Sequence, residues 1–384
     1  MKSTVAEAIG YALKDLGVDV ATHVPGYGAS EAFISFNEKS MKKSAISYNE
    51  EVAYSIAHGA SIVGKRSALL MKSHGFVKAG NAAVDSQYTE LTAGFVIFIF
   101  EDKEGSHSDN ILEIEPILRG MYFPYFLSKK ETIYNDILKS YEESERRGIP
   151  VVLLVDSDDV EKETEYEYSK NLRKTFRYER DILKHVVSPL FSEYQFKMYN
   201  AKKLDMHSAN FEKPKLPEVP GQLPERYQSS LKKYIPLFDL FNNYRGEIVT
   251  GDTSVSSNFV LPPYNSIDIV THIGGSIPLA IGAYLAGFRN VWAVTGDFGF
   301  LSSGYLGLLD AVQRELPLKI IILYNKEASA TGGQLINKKL LMRMLAGFER
   351  FVKHINDPFD PVEINEVLSE AAESDEMKII VADY

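Results

Sequence analysis

Residues 296–326, GDFGFLSSGYLGLLDAVQRELPLKIIILYNK, restrict the possible folds of this chain more than any other stretch. They run from a Gly-Asp turn, through a helix-length segment, into the apolar run 319–323 and an Asn just beyond it. Asp297 follows the strand-like run 291–295, and Asn325 follows the next run. In a parallel sheet the two side chains emerge at the same carboxyl edge, which is where open α/β sheets bind ligands. One carboxylate, one amide oxygen and a free backbone carbonyl, that of Glu327, make a hard oxygen set suited to Mg2+ with positions left for phosphate oxygens.

The remainder of the chain obeys the same alternation. Thr4 and Glu7 have capping-box spacing, and Val5, Ala8, Ile9, Ala12, Leu13 and Leu16 recur at helical intervals until Gly17. A short strand over 18–24 leads into Pro25-Gly26-Tyr27-Gly28, and apolar runs at 68–71, 94–100 and 151–155 follow, separated by helical stretches. This predicts a mostly parallel sheet covered on both faces. After residue 170 the pattern dissolves into a charged, aromatic stretch holding Pro214, Pro217, Pro220 and Pro224, which reads as a semi-rigid linker. Alternation resumes at 246–250 and persists to the last run, 378–382. The expected organisation is an α/β domain over 1–170, a linker over 171–234 and a second α/β domain over 235–384, each doubly wound.

With 384 residues the chain can bury two cores, and 45% hydrophobic with 24% charged residues is an ordinary globular composition. A net charge of −10 supplies no basic footprint, so nucleic acid is not an expected partner. No apolar run has the length of a membrane span and the N-terminus lacks a signal-peptide layout, so no membrane association and a cytoplasmic location are expected. There is no cysteine, hence no disulfide and no ordinary iron–sulfur cluster held by this chain.

A Gly-Asp pair and a distant Asn are common turn and cap residues by themselves. Here two further motifs stand in order upstream: Val249-Thr250-Gly251-Asp252-Thr253-Ser254 and Thr271-His272-Ile273-Gly274-Gly275-Ser276-Ile277-Pro278. Together the three resemble the diphosphate-binding domain of thiamine diphosphate enzymes. The resemblance implies the thiamine diphosphate-binding fold, with a pyrimidine-binding domain before the diphosphate-binding one. It implies diphosphate contacts from Gly251, Asp252, Thr253 and Ser254, a pyrimidine-binding segment at Thr271, His272, Ile273 and Gly274, and further cofactor contacts from Gly296, Phe298 and Gly299. Asp297, Asn325 and Glu327 would then hold Mg2+. Ile273 would sit under the bend between the cofactor's two rings, while the Thr271 carbonyl and Ile273 amide pair with the pyrimidine edge.

This enzyme class also needs a Glu from the other domain, hydrogen-bonded to the aminopyrimidine ring. In Asn49-Glu50-Glu51-Val52-Ala53-Tyr54-Ser55-Ile56-Ala57-His58-Gly59-Ala60, Glu50 stands at the family's offset from a Gly, here Gly59. Glu51 is the adjacent alternative, one residue short in that offset and about 100° around the helix. Apart from the resemblance, Glu50 reads as an acidic first-turn residue favoured by the helix dipole. His74, His107 and His23 are candidate proton carriers, because imidazole titrates near neutrality and each follows or closes a strand. His58, among Ala and Gly within a helix, reads as packing.

Outside the linker, the chain is similar to the large subunit of indolepyruvate:ferredoxin oxidoreductase. The similarity rests on Asn49-Glu50, Met71-Lys72, Glu101-Asp102 with Gly105-Ser106-His107-Ser108, and Ala328-Ser329-Ala330-Thr331-Gly332-Gly333-Gln334. It departs from that family in lacking the ferredoxin-like tail of Cys motifs, in a non-Cys residue such as Val255 in the first diphosphate turn, and in the bulky Phe298 after the metal Asp. The implied activity is oxidative decarboxylation of a 2-oxo acid of indolepyruvate or arylpyruvate type. It would require at least a homodimer, together with a smaller oxidoreductase subunit or an iron–sulfur electron carrier. The alternatives are a non-oxidative decarboxylase resembling those of phosphonopyruvate or sulfopyruvate, and an inactive thiamine diphosphate-binding scaffold.

Overall fold

A computed structural model describes residues 1–41, 43–169, 172–206 and 211–384. The chain divides into two compact units, one built from residues 1–179 with the segment after 198, the other from residues 180–198 and the chain beyond 210.

In the first unit Thr4 caps the helix Val5–Leu16 as the spacing predicts: its hydroxyl accepts from the Glu7 amide at 3.2 Å and Glu7 accepts from the Thr4 amide at 2.9 Å. Gly17 ends the helix in the left-handed conformation at φ 68°. Five parallel strands follow in the spatial order Val20–His23, Ser67–Lys72, Phe95–Glu101, Val151–Asp156, Tyr125–Leu127. Each of the four runs expected at the sequence level is a strand, within a residue or two of its predicted ends. Side chains alternate across the sheet. Val96, Phe98 and Phe100 join the core made with helices Val5–Leu16, Ala29–Lys39 and Ile133–Arg147. The intervening Phe95, Ile97 and Ile99 are equally buried, and Phe95 meets Tyr54 of helix Glu50–Ile62 edge to face at 5.2 Å. Both faces are covered, which explains the unbroken apolar runs.

The second unit is a six-stranded sheet, parallel throughout, ordered Val352–Ile355, Lys378–Asp383, Lys319–Tyr324, Trp292–Gly296, Val249–Gly251, Ile269–Val270. From Val249–Gly251 the chain steps outward to Ile269–Val270 and then returns to Trp292–Gly296 on the other side, leaving a crevice at the carboxyl edge. The stretch expected to be a linker is largely packed. Ile182, Val186, Phe191, Val219, Leu223, Leu231 and Tyr234 lie in the core of this unit, and the Val187 amide donates to the Val270 carbonyl at 2.8 Å. Arg180 reaches Asp268 at 2.9 Å and the carbonyls of Val260 and Ile267. Scattered apolar residues among prolines and charges have no period for a sequence pattern to detect, yet burying each of them is worth about 1.5–3 kcal/mol. Among the described residues, no helix is long and apolar enough to cross a membrane.

Candidate cofactor site

Four neighbouring strands of the second unit end together, and the loops that leave them carry the residues singled out in the sequence. Gly296 and Leu323 are paired in the parallel ladder, so Asp297 and Asn325 leave the sheet side by side. Asp297 is 1% exposed; one carboxylate oxygen accepts the Phe298 amide at 2.8 Å, the other the Lys326 amide at 2.9 Å. Burial pushes its pKa up, and those amides and the Lys233 ammonium oppose the shift without cancelling it. Asn325 Oδ1 accepts the Glu327 amide at 3.1 Å, while Nδ2 donates to the Tyr234 hydroxyl at 2.6 Å and the Ser329 hydroxyl at 3.0 Å. Asn325 Oδ1 thus keeps a lone pair beyond its amide bond. A buried carboxylate held against its desolvation penalty, beside an amide oxygen, fits a hard divalent cation. Lys326, directly after Asn325, takes φ 69°, and its amide is the one that donates to Asp297.

The turn after Val249–Gly251 and the segment after Ile269–Val270 face this pair. Thr253 and Ser254 are half-buried; the Thr253 hydroxyl donates to the Thr271 carbonyl and the Ser254 hydroxyl meets that of Ser256 at 2.7 Å. Asp252, expected as a diphosphate contact, lines the cavity between these loops. Its carboxylate accepts the Ser276 amide at 2.9 Å and the Thr295 hydroxyl, so both oxygens are committed inside the protein. It fastens three loops to one another. His272 is also buried, its Nδ1 3.0 Å from the Thr271 hydroxyl. Ile273 points the other way and is 36% exposed. Its carbonyl accepts from the Ser303 hydroxyl at 3.1 Å, and Gly274 next to it has φ 79°, where a Cβ would lie 1.9 Å from that hydroxyl oxygen.

A cavity of about 60 Å³ lies among these loops. Asp297, Asn325 and Thr253 supply polar wall; Ile273 and Phe298, the latter 42% exposed, supply apolar wall. The helical chain from Asp297 onward starts at the cavity, passes through one wide π turn at Phe300–Gly304 and continues as Tyr305–Gln313. π turns inserted in helices frequently mark functional sites. Gly251 and Gly296 end their strands, and Gly299 is required by space: a Cβ there would lie 2.1 Å from Asp252 Oδ2. Tyr234 and Lys233 also belong to the site although the sequence pattern did not single them out, and Ser329, from the segment 328–334, joins them. Lys233 Nζ lies 3.9 Å from the Glu327 carboxylate.

In the first unit Glu50 opens the helix Glu50–Ile62, capped by Asn49, whose side chain accepts the Glu51 and Val52 amides. The Glu50 carboxylate pairs with Lys78 at 2.6 Å and adjoins the turn bearing His74, since a Cβ on Gly75 would lie 3.0 Å from Glu50 Cγ. His74 is exposed and meets Asn110 at 2.6 Å. His107 is exposed and stacks on Tyr27 with ring centroids 3.7 Å apart. Its loop is clamped: Asp102 accepts the Ser106 and His107 amides, and Lys72 donates to the His107 carbonyl at 2.7 Å. Burial resists ionisation of Asp102, but the Ser108 hydroxyl, these amides and Lys72 hold its pKa below the usual carboxylate value. His23 differs from the expectation of a cleft residue. It is 2% exposed, both ring nitrogens are engaged, with Leu70 O at 3.1 Å and Ser30 Oγ at 3.2 Å, and burial lowers its pKa. His58 is packed, as expected, against Thr89 at 2.8 Å.

Residues 250–379 match the family model of the thiamine pyrophosphate enzyme C-terminal TPP binding domain. Indolepyruvate oxidoreductase subunit IorA of Methanothermobacter marburgensis is 27% identical over 171 residues, covering 42% of this chain and 25% of that protein. The match therefore spans about a quarter of the relative's length. Among solved structures, the thiamine diphosphate-dependent 4-hydroxybenzoylformate decarboxylase of Rhodococcus jostii RHA1 aligns over 99% of both chains with a TM-score of 0.66 at 14% identity. Benzoylformate decarboxylase of Polynucleobacter necessarius aligns over 99% of this chain and 98% of its own, with a TM-score of 0.66 at 12% identity. The fold is thus that of thiamine diphosphate-dependent enzymes, and the sequence resembles the IorA subunit.

Proposed function

We propose, from the premise that residues 250–379 are a thiamine diphosphate-binding domain, that this chain decarboxylates a 2-oxo acid as the catalytic part of a 2-oxoacid oxidoreductase. The observation that carries the reading is the convergence of Asp297 and Asn325 at adjoining strand ends beside an uncovered Ile273. Asp297, Asn325 and the Glu327 carbonyl would hold Mg2+, and Thr253, Ser254 and the amides opening the helix at Asp297 would receive the diphosphate. When bound, thiamine diphosphate supplies a nucleophilic carbon that holds the electron pair released with carbon dioxide.

The chain's own residues then have separable tasks. Ile273 would support the bound cofactor, and Phe298 would extend that apolar wall. Glu50, paired here with Lys78, would hold a proton at the pyrimidine ring. His74 and His107, exposed at the carboxyl edge of the first sheet, are the groups able to move a proton to or from a substrate. His23 is assigned to packing. With no cysteine in these 384 residues, the oxidative outcome needs an iron–sulfur partner to accept two electrons, one at a time.

A second reading, non-oxidative decarboxylation of an aryl 2-oxo acid, is favoured by the end-to-end alignment with two benzoylformate decarboxylases. One assay separates the two. Carbon dioxide release from indolepyruvate, phenylpyruvate, benzoylformate and pyruvate is followed with thiamine diphosphate and Mg2+, first without and then with an electron acceptor. Acceptor-dependent turnover is expected. Sustained aldehyde formation without an acceptor would establish the decarboxylase, and no release under either condition would leave a binding scaffold.

A further inference from the structure

The amide at Asn325 is useful to a cation only if its oxygen, and not its nitrogen, faces Asp297. One contact defines that orientation: the Glu327 backbone N–H can only donate, so the atom it meets at 3.1 Å is the amide oxygen. The nitrogen must then find two acceptors on the opposite side. They are the Ser329 hydroxyl, at 3.0 Å, and the Tyr234 hydroxyl, at 2.6 Å. Ser329 belongs to the same exposed loop as Asn325 and donates onward to the Glu327 carboxylate at 2.7 Å. Tyr234 is different in kind. It is 2% exposed, is built into the core of the second unit and meets Tyr384 edge to face at 4.7 Å, so its hydroxyl is a rigid anchor. It also precedes residue 250, where the recognised cofactor-binding domain begins.

We propose that Tyr234 is the positioning residue of the cation site: by accepting from Asn325 Nδ2 it holds Oδ1 toward Asp297 and thereby determines divalent-cation affinity. The inference rests on the reading of Asp297 and Asn325 as cation ligands. Ligand-orienting partners of this type change metal affinity by about 10–100-fold when removed. The matched domain alone lacks this anchor, so the segment before it is part of the binding apparatus.

The test is a direct titration with Mn2+, followed by the electron paramagnetic resonance of the free ion, in the full chain saturated with thiamine diphosphate. Tyr234→Phe keeps the ring and removes only the hydroxyl. It should bind Mn2+ about tenfold or more weakly, with the cation-free thermal midpoint little changed. Ser329→Ala removes the second acceptor from an exposed loop and should weaken binding in the same direction but less, which keeps the inference testable if Tyr234→Phe does not fold. Wild-type affinity in folded Tyr234→Phe, or in Ser329→Ala where only that variant folds, would overturn the inference while leaving the cation site intact. Absence of Mn2+ binding by the wild-type chain with thiamine diphosphate would overturn the cation site itself.

Discussion

Ile273 presents an apolar side chain to the cavity. Its neighbours Thr271 and His272 are buried, yet its own apolar side chain faces an open cavity beside a buried carboxylate. Covering such a side chain is favourable by roughly 25 cal/mol per Å² of apolar surface. Under the proposed function, Ile273→Ala should lower kcat by about 10²-fold, because the cofactor's rings lose their support and misplacement of about 1 Å costs that much. Cofactor affinity, measured by calorimetry, should fall far less; equal losses in both would make Ile273 a simple contact. Glu50→Gln should retain thiamine diphosphate binding and lose about 10²–10⁴-fold in kcat, the range typical of a positioned proton-holding group. Undiminished turnover in that variant would move the role to Glu51 or remove it.

At the scale of elements, the start of the helical chain at Asp297 depends on one close approach. Gly299 allows the helix to lie against Asp252, which in turn accepts from Ser276 and Thr295. A Cβ there must push aside a carboxylate fastened at both oxygens. Gly299→Ala should therefore cost about 1–3 kcal/mol in stability, the usual range for overpacking, and should weaken cofactor binding because the amides at the helix start move. Differential scanning calorimetry with and without thiamine diphosphate checks both effects, and an unchanged midpoint would show that the neighbouring loops yield easily. The strands were legible from their apolar runs, since both faces of each parallel sheet are covered. The packing of Ile182, Val186, Phe191, Val219, Leu223, Leu231 and Tyr234 was not, because these core residues follow no period of 2 or 3.6.

For the whole molecule, two units with separate cores make a single two-state transition unsafe to assume. Thiamine diphosphate with Mg2+ at about 100 times Kd should stabilise by about 2.7 kcal/mol the transition that contains the second unit. A scan in which no transition moves would contradict cofactor binding. His23 gives the first unit a pH dependence of definite sign. Its pKa is lowered by burial from 6.5, so the unfolded chain binds the proton more readily than the folded one. Stability should therefore fall as pH drops below about 6.5, until the folded pKa is reached. His23→Gln should flatten that part of the profile in chemical denaturation; an unaltered slope would assign it to other groups.

What the sequence alone determined is whatever depends on local pattern: the alternation that dictates two parallel sheets, and the placement of Asp297 and Asn325 at the same edge, because both follow strands of one direction. The positions of Thr253, Ile273 and Phe298 around one cavity follow from the same rule. Tertiary structure decided which way side chains turn once there. His23 carries suitable chemistry at a suitable strand end, but buried hydrogen-bond partners draw it inward, and Asp252 is tied to Ser276 and Thr295 at the cavity wall. Tyr234 has no local signal and acquires its role only because the core holds its hydroxyl against an amide distant in sequence. Strand direction is written in nearby residues, whereas the satisfaction of buried polar groups depends on partners that only the folded chain brings together.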